Sequence, residues 1–283
     1  MKKINRISVL LIVACLAALM GYRTLQRLRT DVTPPVITWE DQMLELSALE
    51  PRSELLRNVS ARDEKNGDVT ASLVVESVRL LRADGTVVVT YAAFDASGNV
   101  AKAQREVLFT DYESPKFLLT RPLLFSRSTS YDLLNIIQAE DMLDGDISHR
   151  IRATVLDEID TNYAGTHDVQ FRVTNTLGET VELVLPVELY NPGLFEGTLE
   201  LTDYLIYLKQ GDSFNARNYL YSFTLGRENI SLENGIPEKV NLLISGRVQT
   251  GVPGVYIIDY EVAYDQSGQT YTAYSRLVVI VEE

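Results

Sequence analysis

Two blocks of acidic side chains have the types and spacing for chemistry. Asp63 and Asp68 flank Asn66-Gly67, with Asp95 further along; Asp141, Asp144 and Asp146 surround Gly145, with Asn175 behind them. Asp111 and Glu113 precede the second block. Carboxylate and amide oxygens are the hard ligands that Ca2+ takes in sets of about six to eight. Asp63, Asp68 and Asp95 therefore make one candidate set, and Asp111, Glu113, Asp141, Asp144, Asp146 and Asn175 a second. The loop pattern of an EF-hand does not occur. The same residues have a simpler use. Asp and Asn in turns bond backbone amides two residues on, and Gly67 and Gly145 suit such turns. Turn chemistry and Ca2+ binding both stand at this level, and Ca2+ is the one cofactor candidate.

Other chemistries find less material. His149 and His167, the two histidines of the chain, accompany neither a nucleophile elbow nor a zinc-type spacing. No glycine-rich loop opens a helix to hold phosphate. The single cysteine, Cys15, excludes a disulfide framework. No catalytic residue is assigned and no enzymatic activity is expected. The 283 residues carry 26 Lys+Arg against 39 Asp+Glu, a formal charge of −13. Six of the basic residues, and no acidic one, lie in 1–30, so the remainder sets 20 basic against 39 acidic residues, a net −19. A body this acidic is a poor partner for phosphate backbones, and nucleic acid is excluded.

Tyrosine supplies a different candidate surface. Nine of the 15 tyrosines lie in 193–283. Tyrosine offers large contact area at small entropic cost, so Tyr264, Tyr271 and Tyr274 are candidates for binding a protein or glycan partner. Tyr271 and Tyr274 are spaced to face opposite sides of a strand. Tyrosine is also a good strand former, so core packing competes with that use.

The elements that must carry these residues follow from patterning. Ile7 to Tyr22 is an uninterrupted run of 16 apolar or small residues, preceded by Lys2, Lys3 and Arg6 and followed by Arg23, Arg27 and Arg29. This arrangement suggests a signal anchor contacting the membrane through residues 7–22, with Arg6 and Arg23 snorkelling to extend a short span. Residues 31–283 would then be extracellular, or secreted if the segment is cleaved.

Beyond Asp31, short β-branched and aromatic runs alternate with Gly, Asn, Asp and Pro, and the pattern repeats. Asp31-Val32-Thr33-Pro34-Pro35 matches Asp111-Tyr112-Glu113-Ser114-Pro115 at an offset of 80, as Gly85 matches Gly165 and Gly98 matches Gly178. A third copy has Gly254 and Gly268, spaced 14 rather than 13 apart. Val89-Tyr91-Ala93, Val169-Phe171-Val173 and Ile258-Tyr260-Val262 each point to one face, and the next position on that face is Asp95, Asn175 and Tyr264 in turn. The predicted fold is all-β: three tandem Ig-like antiparallel β-sandwiches (31–110, 111–190 and a divergent 191–283) after one N-terminal transmembrane helix (1–30).

Ala61-x-Asp63 with Asn66-Gly67-Asp68-Val69-Thr70, and Ala139-x-Asp141 with Asp144-Gly145-Asp146-Ile147-Ser148, resemble the A-x-D-x-x-D-G-D-[IV]-[ST] signature of bacterial Ig-like surface repeats of the pesticidal-crystal-protein type. Phe94-Asp95-Ala96-Ser97-Gly98-Asn99 resembles their second hallmark, and the third copy lacks the acidic block. The resemblance implies extracellular repeats arrayed end to end, with a structural or adhesive role. The sequence also admits a non-catalytic accessory subunit of a cell-envelope complex.

Overall fold

The computed structural model describes residues 6–29, 31–40, 42–127, 132–156 and 163–282, and within the first segment the side chains of 9–24. Lys2, Lys3 and the side chains of Arg6, Arg27 and Arg29, which framed the expected anchor, lie outside the described residues. Helix α1 spans Arg6–Arg29. All its described side chains, 9–24, are exposed. Among the described residues no helix is long and apolar enough to cross a membrane. The expected spanning helix is therefore not shown. A run of 16 residues rises about 24 Å as helix, against a hydrocarbon core of ~30 Å.

The rest is strand. The first repeat contributes β1 (Val36–Trp39), β2 (Leu44–Leu46), β3 (Val59–Asp63), β4 (Gly67–Asp68), β5 (Val74–Leu80), β6 (Thr86–Phe94) and β7 (Val100–Phe109). The second contributes β8 (Lys116–Leu119), β9 (Leu124–Ser126), β10 (Ile137–Asp141), β11 (Gly145–Asp146), β12 (Arg152–Val155), β13 (Gly165–Thr174) and β14 (Thr180–Tyr190). The third has β15 (Thr198–Leu201), β16 (Leu205–Lys209), β17 (Leu220–Leu225), β18 (Glu228–Ser231), β19 (Val240–Ser245), β20 (Gly254–Gln266) and β21 (Gln269–Glu282).

Each repeat forms one three-stranded and one four-stranded sheet: β1-β3-β4 with β2-β7-β6-β5, β8-β10-β11 with β9-β14-β13-β12, and β15-β17-β18 with β16-β21-β20-β19. In each, the second strand leaves its predecessor's sheet and pairs in parallel with the last strand, as β2 does with β7, β9 with β14 and β16 with β21. The pairings between β5, β6 and β7, between β12, β13 and β14, and between β19, β20 and β21 are antiparallel. The expected repetition is thus present as a repeated β-sandwich topology.

The chain divides into two compact units, Met1–Tyr112 and Glu113–Glu283. In the first, alternation buries Val87, Val89, Tyr91 and Ala93 of β6, and the Tyr91 hydroxyl donates to the Leu55 carbonyl at 2.7 Å. In the second unit, two repeats share apolar contacts. Leu205 and Val278, from the third repeat, belong to the cluster built on Phe117, Ile137, Phe171 and Leu185 of the second. The cause is legible in β16 and β21, where Leu205-Ile206-Tyr207-Leu208 and Leu277-Val278-Val279-Ile280 are apolar on both faces. One face carries Leu205, Tyr207, Val278 and Ile280 to the second repeat, while Ile206, Leu208, Leu277 and Val279 serve the third. Continuous apolar runs mark a strand buried on both sides. These repeats are packed through the face of a sheet, where the family resemblance led us to expect an end-to-end array.

Candidate metal centre

Period-2 alternation delivers two of the acids. β3 buries Val59, Ala61 and Asp63 in turn. On β6 the inward row Val87, Val89, Tyr91, Ala93 continues into Asp95. Strands from the two facing sheets therefore both end on an inward carboxylate. A third arrives from the entering segment, because the Asn99 side-chain amide donates to the carbonyls of Asp31 and Thr33, each at 3.2 Å, and to Asp95 Oδ2 at 2.6 Å.

One oxygen from each of Asp31, Asp63 and Asp95 lies within 4.8 Å of the others. All three are buried, at 6%, 2% and 9% exposure. Each uses Oδ1 to close its own loop. Asp31 accepts from the Thr33 amide (3.1 Å) and hydroxyl (2.7 Å), Asp63 from the amides of Lys65 (2.9 Å) and Asn66 (2.7 Å), and Asp95 from those of Ser97 (2.9 Å) and Asn99 (2.7 Å). The Thr33 hydroxyl and amide hold the Asp31 carboxyl below its ordinary range. Oδ2 of Asp31 and Oδ2 of Asp63 are buried without a hydrogen-bond partner. Lys65 Nζ stands 3.7 Å from Asp31 Oδ1 on a half-exposed side chain.

Asp31 was not among the residues expected from sequence, although its repeat partner Asp111 was. The available signal was Asp31-x-Thr33, an Asx-turn spacing inside the repeated Asp31–Pro35 segment. Asp68, which was expected, is elsewhere: its Oδ1 accepts from the Thr70 amide at 2.9 Å. Asp146 does the same for the Ser148 amide and hydroxyl, at 2.9 and 2.6 Å. The Thr70 and Ser148 hydroxyls in turn accept from the amides of Ala61 (3.1 Å) and Ala139 (3.0 Å). Gly67 and Gly145 take φ of +74° and +67° between them. Most of each acidic block is turn chemistry.

The second expected set does not assemble. Asp111 belongs to the first unit, accepting from the Ala48 amide (2.7 Å) and Ser47 hydroxyl (2.6 Å). Glu113 pairs with Lys116 at 3.1 Å. Burial raises the pKa of Asp144, but bonds from the Thr176 hydroxyl and amide and from Arg150 outweigh it, leaving the carboxyl below its ordinary range. Asp141 keeps the role of Asp63, accepting from the Leu143 and Asp144 amides at 2.9 Å each. Its Oδ2 accepts from Asn175 Nδ2 at 3.0 Å, and Asn175 Oδ1 accepts from the Glu179 amide at 2.9 Å. Among the described residues, no other three His, Cys, Asp or Glu side chains come as close as Asp31, Asp63 and Asp95.

In the third repeat the same inward position is Tyr264. It is 5% exposed, its ring 5.5 Å from that of Phe223 and its hydroxyl donating to Glu228 at 3.1 Å. This corrects its assignment to a ligand face: the longer strand carries the ring into the core. Tyr274 is half-buried, its hydroxyl bonded to Asp259 and its ring 5.6 Å from Phe195, which lies 5.2 Å from Tyr190. It is engaged within the unit. Tyr271 is half-buried and its hydroxyl donates to Gln269 at 3.0 Å.

No protein-family model matches the chain. The pesticidal crystal protein Cry22Aa of Bacillus thuringiensis is 25% identical over 234 residues, covering 81% of this chain and 31% of its own length. An uncharacterized 81.3 kDa protein of Acholeplasma phage L2 is 30% identical over 151 residues, 52% of this chain and 19% of its own. The chain spans less than a third of either relative. Solved structures that align with most of it include Drosophila N-cadherin EC1-4 (12% identity, 88% of this chain, 76% of that chain, TM-score 0.23). Another is the structure of CBM51-2 in complex with GlcNAc and INT domains from Clostridium perfringens ZmpB (13% identity, 87% of this chain, 41% of that chain, TM-score 0.22).

Proposed function

We propose that the chain is a cell-surface Ig-like repeat protein with a structural or adhesive role, holding its third repeat out toward a protein or glycan. The observation that carries this reading is one sandwich topology made three times in series. Within the second unit, the second and third copies brace each other through Tyr207, Arg276 and the ring contacts Tyr190–Phe195 and Phe195–Tyr274. The similarity to Cry22Aa supports a repeated β-sandwich, and the family type is read from the acidic blocks of the sequence alone. Attachment to the membrane through residues 7–22, with 31–283 outside, is inferred from the basic–apolar–basic order of the sequence.

The test uses the full chain in lipid nanodiscs, applied to glycan arrays and to detergent-solubilised envelope proteins. Saturable binding of a glycan or surface protein, weakened by Tyr271→Ala, is expected. Recovery of one stoichiometric membrane protein instead would favour an accessory subunit of an envelope complex, and saturable binding of nothing would overturn both readings.

A further inference from the structure

We propose that the first repeat binds one divalent cation of the Ca2+ class between Asp31, Asp63 and Asp95, and that the second repeat lacks the equivalent site because it carries Asn175 in place of Asp95 and its Asp111 is bonded to Ser47 and Ala48 instead. Two observations converge. Three carboxylates lie within 4.8 Å of one another. Two of them, each over nine-tenths buried, hold an oxygen that no donor reaches.

A buried carboxylate oxygen without a donor forfeits its hydration with nothing in return. Backbone amides have already been spent on the Oδ1 atoms, so what is missing is positive charge on the Oδ2 side. Lys65 provides one ammonium against three carboxylates, which leaves a net −2 for a divalent ion to neutralise. Three oxygens held by turns on separate segments form part of the hard coordination shell of Ca2+, which water and carbonyl groups complete.

The second repeat supplies an internal control. The residue facing Asp141 there is an amide, and it donates to the oxygen that the first repeat leaves bare. An N–H does in the second repeat what a cation would do in the first. In the third, Tyr264 fills the position with a ring. The series Asp95, Asn175, Tyr264 thus runs from a carboxylate through an amide to an aromatic ring at one inward position.

The experiment takes the full chain in detergent micelles, stripped with EDTA, and titrates CaCl2 by calorimetry and thermal melting. One equivalent per chain is expected, with a rise of about 5 °C in the melting temperature of the transition it stabilises. Asp95→Asn, which copies the second repeat, should abolish both effects while keeping the loop, since the Asn175 oxygen accepts the equivalent amide bond. Should that variant not fold, Asp31→Asn makes the same test, its amide oxygen still able to accept from Thr33. Absence of Ca2+ binding to the stripped protein overturns the proposal, and so does undiminished binding by either folded variant. The outcome does not depend on which surface role the chain has.

Discussion

The side-chain amide of Asn175 donates to Asp141 Oδ2 at 3.0 Å, at the place where the first repeat sets the carboxylate of Asp95 beside that of Asp63. The pair is a buried hydrogen bond with a defined donor. Asn175→Asp removes the donor and sets two carboxylates in contact. Leaving a buried acceptor bare costs about 1–3 kcal/mol, so urea unfolding at pH 7 should show a loss of that size. Like charges raise a carboxyl's folded pKa above its unfolded value. The variant therefore binds a proton more tightly when folded, and the deficit should shrink as pH falls toward ~4. An equal deficit at both pH values would mean that charge repulsion is not its source.

The inward row of β6 was legible because alternation is rigid: once Val89 and Tyr91 face the core, Asp95 must follow. The paired sheets were likewise visible in the spacing of glycines and short β-branched runs. Asp31 was not visible, because its place depends on the reach of Asn99 from a distant loop. Tyr264 was misjudged because a tyrosine at the end of an inward row looks the same in sequence whether water or Phe223 lies beyond it. The shared contacts of the second and third repeats were written in the apolar runs of β16 and β21, whose missing alternation was the cue.

Gly85 and Gly165 match in the repeat, yet they should respond differently to substitution. Gly85 has φ +88°, and a Cβ there would stand 2.3 Å from the Phe109 carbonyl oxygen. Gly165 has open space within 4 Å and lacks a positive φ. Strain of this kind costs on the order of 1–3 kcal/mol before the clash is counted. Gly85→Ala should therefore lose at least about 2 kcal/mol by chemical denaturation, while Gly165→Ala stays within about 0.5 kcal/mol.

Tyr207 ties the third repeat to the second by accepting from the Phe117 amide at 2.8 Å. Burial pushes its hydroxyl up to about 12. A folded pKa above the unfolded value of about 10 gives stability that is complete below pH 10 and is lost as pH rises toward 12. Tyr207→Phe should cost about 1 kcal/mol at pH 7 through the lost bond and should flatten the decline between pH 10 and 12. Unfolding midpoints across that range measure both effects, and an unchanged alkaline slope would place the titration on other tyrosines.

Arg276 joins the same two repeats by charge. Its side chain, 11% exposed, sets Nε 2.7 Å from Asp259 Oδ1 and a terminal nitrogen 2.7 Å from Glu188 Oε2, while its guanidinium lies 5.8 Å from the centre of the Tyr274 ring. Glu188 comes from β14 and Asp259 from β20, so one cation spans two sheets. Arg276→Met keeps much of the stem volume but leaves two partly buried carboxylates facing each other. Breaking such a pair from one side costs about 3 kcal/mol. The triple variant Arg276→Met, Glu188→Gln, Asp259→Asn should regain a large part of that loss, because it removes the stranded charges along with the cation. If the triple variant is as unstable as the single one, packing of the arginine stem rather than charge is what Arg276 contributes.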